Sequence, residues 1–109
     1  MLKAYIITFN QPALLDPFNY EKFHQYLLNY SFIKDWWHYL KCTYIVITPA
    51  GVNASNLTEY LQQYLKQINF LVIEVKLENH NGLLHPDAWK WINNQIAKSR
   101  ISPYKDLLG

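Results

Sequence analysis

The chain has 109 residues, half of them hydrophobic and 17% aromatic, so it is long enough and apolar enough for one domain with a real core, and disorder is excluded. Ten basic against eight acidic side chains leave a net charge of +2, too weak to argue for a nucleic-acid partner from charge alone. The single cysteine, Cys42, excludes an internal disulfide and fits a reducing compartment. No apolar run approaches the roughly 18 residues that a membrane span needs, and residues 1–3 lead straight into a strand-like run without a signal pattern. A soluble cytoplasmic protein with no membrane partner is expected.

Residues 4–9, AYIITF, are rich in β-branched and aromatic types and predict a strand. Periodicity does not decide which face is buried, because Tyr5, Ile7 and Phe9 compete with Ala4, Ile6 and Thr8. Two prolines, an aspartate and two asparagines make residues 10–19 a loop. Asn19 is a natural N-cap for a helix reaching about Tyr30, with Phe18 and Phe23 as a hydrophobic staple. Residues 36–40 and 43–48 read as two antiparallel strands separated only by Lys41 and Cys42. Neither residue favours a two-residue hairpin turn, so a bend within residues 39–42 is the alternative.

Pro49-Ala50-Gly51 ends that strand, and Asn56 with Glu59 three residues on suggests the capped start of a second helix. Leu57, Leu61, Tyr64, Leu65 and Ile68 form its apolar stripe. Residues 70–77, FLVIEVKL, predict a strand in which Leu71, Ile73, Val75 and Leu77 are the buried row. After the turn-forming ENHNG, Pro86 and Asp87 suit the start of a third helix ending near Lys98. The order βαββαβ followed by a helix predicts an α+β fold: a ferredoxin-like sandwich with a four-stranded antiparallel sheet, two helices on one face, and an extra C-terminal helix. Residues 1–98 are expected to form this domain, and residues 99–109 an irregular tail that could dock through Tyr104, Leu107 and Leu108.

AYIITF followed by Asn10, then Asn19-Tyr20, WWHYL and TYIV in the hairpin, LVIEVKL, and a closing PDAWKWI together resemble the small bacterial SinR-family proteins. That group is related to the small endonuclease-like subunit of the CRISPR spacer-acquisition complex and, more distantly, to virulence-associated protein D. The resemblance covers residues 3–97, with WWHYL and AWKWI its specific parts. It implies a ferredoxin-like fold and a homodimer, with links to defence or toxin systems. The CRISPR relatives carry a metal-binding aspartate at the end of the first strand, and metal-dependent cleavage needs such hard oxygen ligands. The matching residue here is Asn10, which offers a carbonyl oxygen but no charge. Asn10 is therefore a weak catalytic candidate, and a divalent metal enters only if the chain is a nuclease. Asp16 lies in the adjoining loop.

Trp36 and His38 should face one side of their strand, Trp37 and Tyr39 the other. A core plus dimer interface is the first reading of this segment, and a base-stacking platform is the second. Trp89 and Trp91 should point to different sides of the third helix, one inward and one to a partner. The expected interface is thus Trp36, Trp37, His38, Tyr39, Trp89 and Trp91. Lys98, Arg100 and Lys105 are weak candidates for phosphate contact. His24, His38, His80 and His85 lack zinc-ligand spacing, and neither a phosphate loop nor a nucleophile elbow is present, so no metal or other cofactor is expected. The leading functional reading is a homodimeric binding or scaffold protein without strong catalysis. A metal-dependent endonuclease or ribonuclease at the dimer axis, and a single-strand nucleic-acid binder using the second sheet face, are the alternatives. The last predicts exposed Tyr or Phe on the first and third strands.

Overall fold

A computed structural model of the chain describes residues 1–11 and 18–108, with side chains through residue 98. Asp16 lies outside the described residues, as do the side chains of Arg100, Tyr104, Lys105, Leu107 and Leu108. The fold is α+β: β1 (Leu2–Phe9), α1 (Tyr20–Leu28), β2 (Asp35–Leu40), β3 (Thr43–Pro49), α2 (Ala54–Leu65), β4 (Phe70–Val75) and α3 (Pro86–Leu108). It divides into two compact units, Met1–Val75 and Lys76–Gly109, so the division falls after β4.

In the first unit the four strands form one antiparallel sheet in the order β2-β3-β1-β4. β1 pairs with β3 on one side and β4 on the other, without a break in either register. Phe9 N–H donates to the Cys42 carbonyl and Asn10 N–H to the Asn69 carbonyl. Backbone groups alternate in direction along an antiparallel strand, so Tyr5, Ile7 and Phe9 bond to β3 while Ala4, Ile6 and Thr8 bond to β4. The side chains of Tyr5, Ile7 and Phe9 are buried, which settles the face that periodicity left undecided.

α1 starts where Asn19, in an extended conformation, accepts the Lys22 N–H at 3.0 Å. Phe18 and Phe23 meet at 6.0 Å between ring centroids, as a staple requires. α2 begins earlier than the sequence suggests. Its N-cap is Asn53, and Asn56 is the third helical residue of a reciprocal capping box, with both bonds 2.9 Å long. Asparagine replaces the usual Glu of that motif because its short amide reaches the Asn53 N–H equally well.

Phe23 and Leu27 of α1 and Leu57, Leu61 and Leu65 of α2 pack on Tyr5, Ile7, Phe9, Tyr44 and Val46 of the sheet. Each such side chain withdrawn from water contributes about 1.5–3 kcal/mol. The Tyr5 hydroxyl, buried with its ring, donates to the Val52 carbonyl at 2.7 Å, so the core holds no unpaired phenol there. The two helices are joined by a tyrosine clasp. The rings of Tyr26 and Tyr60 stack at 4.4 Å, and each hydroxyl donates to the other residue's carbonyl. Tyr30 stacks on the same Tyr60 ring at 4.5 Å.

β4 runs opposite to the expected facing. Phe70 and Val72 pack against the core, and Leu71 and Ile73 are exposed. The register explains the difference: Phe70 lies opposite Phe9 and Val72 opposite Ile7, whose side chains point to the helices. β4 ends at Val75, short of Leu77.

The second unit contains α3. His85 begins the helix: its Nδ1 accepts the Asp87 N–H at 3.1 Å and its carbonyl accepts the Ala88 N–H at 2.9 Å. Ala88, Ile92 and Gln95 are buried at helical spacing, and Trp89 and Trp91 are half-buried. The helix extends to Leu108, past the expected end near residue 98 and through Pro103, so residues 99–108 are not the irregular tail the sequence suggests. Gly82, at φ 152°, lies against the Trp89 ring, which also stacks on His80 at 5.5 Å.

Replacing Tyr60 by Phe removes one inter-helix hydrogen bond and keeps the stack. We expect a loss of about 1 kcal/mol in urea unfolding, with an unchanged m-value. Tyr26→Phe should cost a similar amount.

Candidate functional site

The WWHYL segment divides between the two faces of the sheet as strand alternation requires. Trp37 lies opposite Ile45 and is 3% exposed. Its ring meets Tyr39 at 5.4 Å on the same side. Trp36 lies opposite Val46, faces α1, and meets the His24 ring edge-on at 4.7 Å. His38 faces the same way and stacks on Tyr44 at 3.9 Å with the rings 12° from parallel.

The result is a ring cluster at the edge of the sheet, contributed by α1, β2 and β3. His24 Nδ1 and the Tyr44 hydroxyl are 2.9 Å apart, either one being the donor according to the tautomer. The His24 and His38 rings lie 6.0 Å apart, and His38 Nε2 is 2.9 Å from the Lys41 carbonyl. Burial pushes the Tyr44 hydroxyl up to about 12, so it remains protonated. Burial, and then the neighbouring His38, hold His24 below the ordinary imidazole range. Tyr20 stands beside the cluster with its hydroxyl 4.0 Å from the Cys42 sulfur and the Lys41 ammonium 4.9 Å from its ring centre. Burial raises the Tyr20 hydroxyl, and the contact with Cys42 raises it further, so this phenol does not serve as a base for the thiol. No carboxylate orients either histidine in the contacts described. The arrangement packs and orders the β2 edge, with His24 and Tyr44 in hydrogen-bond contact.

The hairpin turn shows why the edge has this shape. Neither Lys41 nor Cys42 has a φ in the left-handed region, so they do not form the primed turn that matches strand twist. The register shifts by one residue between Trp37 and Leu40, and this bulge on β2 absorbs the mismatch. Along this strand Trp36, Tyr39 and Leu40 are exposed by 41%, 43% and 48%.

Asn10 is exposed at the far end of β1. It borders a shallow open depression whose described lining is Thr8, Phe9, Asn69, Phe70 and Leu71. Among the described residues no group of three or more His, Cys, Asp and Glu side chains could hold a metal ion. Trp89 and Trp91 belong to the second unit, where Trp89 packs with His80 and Gly82. Lys98 is exposed on α3, whereas the side chains of Arg100 and Lys105 lie outside the described residues. The aromatic residues of the first and third strands, Tyr5, Phe9 and Tyr44, are buried against the helices, so the exposed Tyr or Phe of a sheet-face stacking platform is not found on those strands.

Sequence reasoning missed two features. His24 joins the cluster because it lies one helical turn after Tyr20, a signal that the Tyr and Phe stripe of α1 hides. The exposed pair Leu71 and Ile73 on β4 could be found only from the register with β1. No helix among the described residues is long and apolar enough to cross a membrane. No family model, no curated protein and no solved structure matches the chain.

His24 supplies a pH test. Its folded-state pKa is below the free value of 6.5, so the unfolded chain binds the proton more readily. Its contribution to stability is complete above the free value and is lost as pH falls from there through the folded pKa. The urea midpoint should therefore drop below about pH 6.5, and His24→Asn should flatten that part of the profile.

Proposed function

We propose that this chain is a homodimeric scaffold or binding protein with a ferredoxin-like fold, and that it works through contact surfaces and not through a catalytic centre. The fold reading is supported by the connections: α1 joins β1 to β2 across β3, and α2 joins β3 to β4 across β1, which is the split βαβ arrangement. One observation carries the functional reading. Both edge strands hold large apolar side chains in water: Trp36, Tyr39 and Leu40 on β2, Leu71 and Ile73 on β4. Rows of this kind on sheet edges mark contact surfaces, and Trp and Tyr are the side chains that dominate such contacts. The sequence resemblance to SinR-family proteins agrees with a dimer.

The nuclease alternative needs acidic ligands near Asn10, and the described lining of its depression supplies Thr, Phe, Asn and Leu. Asn10→Ala should accordingly leave any solution property of the protein unchanged. Light scattering should give a mass near twice the 13.0 kDa of one chain at micromolar concentration. A mass of one chain at every concentration tested overturns the reading.

A further inference from the structure

We propose that two copies of this chain pair through β4, antiparallel about a two-fold axis at Val72, so that two four-stranded sheets become one continuous sheet. This rests on the homodimer reading and assigns its surface and register.

The two edges of the sheet are not equivalent. β2 carries a bulge between Trp37 and Leu40, a device that turns an edge away from further pairing. β4 carries neither a bulge nor a proline, and its register with β1 is unbroken from Ala4↔Val75 to Phe9↔Phe70. Its one charged side chain, Glu74, lies 3.8 Å from Lys3 of the same chain, which offsets the charge. β4 is thus the edge that lacks these devices, and its Leu71 and Ile73 are 55% and 48% exposed.

The backbone selects the register. Asn10 N–H bonds to the Asn69 carbonyl, so by alternation Leu71, Ile73 and Val75 direct their N–H and C=O groups to β1. Phe70, Val72 and Glu74 direct theirs outward, away from the sheet. An antiparallel partner must meet these residues with its own outward-facing ones. A two-fold axis at Val72 is the one placement that matches all three within the strand: Phe70 with Glu74, Val72 with Val72, and Glu74 with Phe70. It forms about six backbone hydrogen bonds, two for each pair.

The side chains fit the same axis. Leu71 of each copy lies opposite Ile73 of the other, and the four exposed aliphatic side chains close into one apolar cluster. The two Glu74 carboxylates are separated by four residues along the strands, about 14 Å, so like charges do not meet. The contact is isologous and closed, and the bulged β2 edges with Trp36 and Tyr39 become the two ends of the assembly.

Two measurements on the full chain test the pairing. Leu71 and Ile73 would form a non-hydrogen-bonded pair with Cα atoms about 4.5 Å apart, within disulfide range. In a Cys42→Ala background, mixed Leu71→Cys and Ile73→Cys proteins should oxidise to a disulfide-linked dimer at least tenfold faster than either protein alone. Ile73→Lys, an exposed change that keeps the far-UV circular dichroism, should raise the dimer dissociation constant at least tenfold by light scattering. If the wild type is a dimer that survives Ile73→Lys, or the mixture oxidises no faster than its components, the β4 pairing is wrong and the homodimer reading stands. A monomeric wild type removes both.

Discussion

β1 is bonded along both edges, and the rest of the first unit follows from that. Its backbone alternates between β3 and β4, so the side chains of Tyr5, Ile7 and Phe9 all reach the same face. Both α1 and α2 must pack there, because each returns the chain across a strand and brings one apolar stripe. The same pairing leaves β2 and β4 as the edges. A slip of one residue in either register would turn the core face of β1 outward, so the packing of Phe23, Leu57 and Leu61 on that face holds the sheet in register.

Aromatic side chains do several kinds of work in this small domain. Phe9, Phe18, Phe23 and Tyr64 fill the helix–sheet interior with tilted and edge-on contacts between 5.1 and 6.0 Å. Tyr26 and Tyr60 combine a stack with two hydrogen bonds and tie α1 to α2. His24, Trp36, His38 and Tyr44 tie α1 to the bulged hairpin. These polar rings let the interior approach the surface without an unpaired hydroxyl: no buried side-chain nitrogen or oxygen among the described residues lacks a partner. They also put the His24 imidazole of α1 where burial and the neighbouring His38 disfavour its protonated form.

The difference between the edges follows from local chemistry. Lys41-Cys42 connects β2 to β3 without a glycine or asparagine, and the bulge is the consequence. β4 arrives from α2 through residues 66–69 and pairs with β1 over its whole length, so nothing deforms it. One edge is irregular and aromatic, the other regular and aliphatic. Self-pairing suits the regular edge, because hydrogen-bond geometry repeats only along an undistorted strand.

The sequence by itself determined the element order, the Asn19 cap with its Phe18–Phe23 staple, the α2 stripe, and the split of WWHYL between two faces, since each depends on residues close along the chain. It stopped short wherever two equivalent local choices existed. Asn53 and Asn56 both make good caps, and only the reciprocal geometry makes Asn53 the cap. The two faces of AYIITF are almost equally apolar, so period-2 alternation carries no preference between them, while in FLVIEVKL alternation favours the Leu71, Ile73, Val75 and Leu77 row and the structure reverses it. Tertiary pairing decided both together: Tyr5, Ile7 and Phe9 turned to the helices, and the register then placed Phe70 and Val72 inward and Leu71 and Ile73 outward. The surface that assembly would use was decided by contacts between strands some 60 residues apart, and no local pattern encodes that choice.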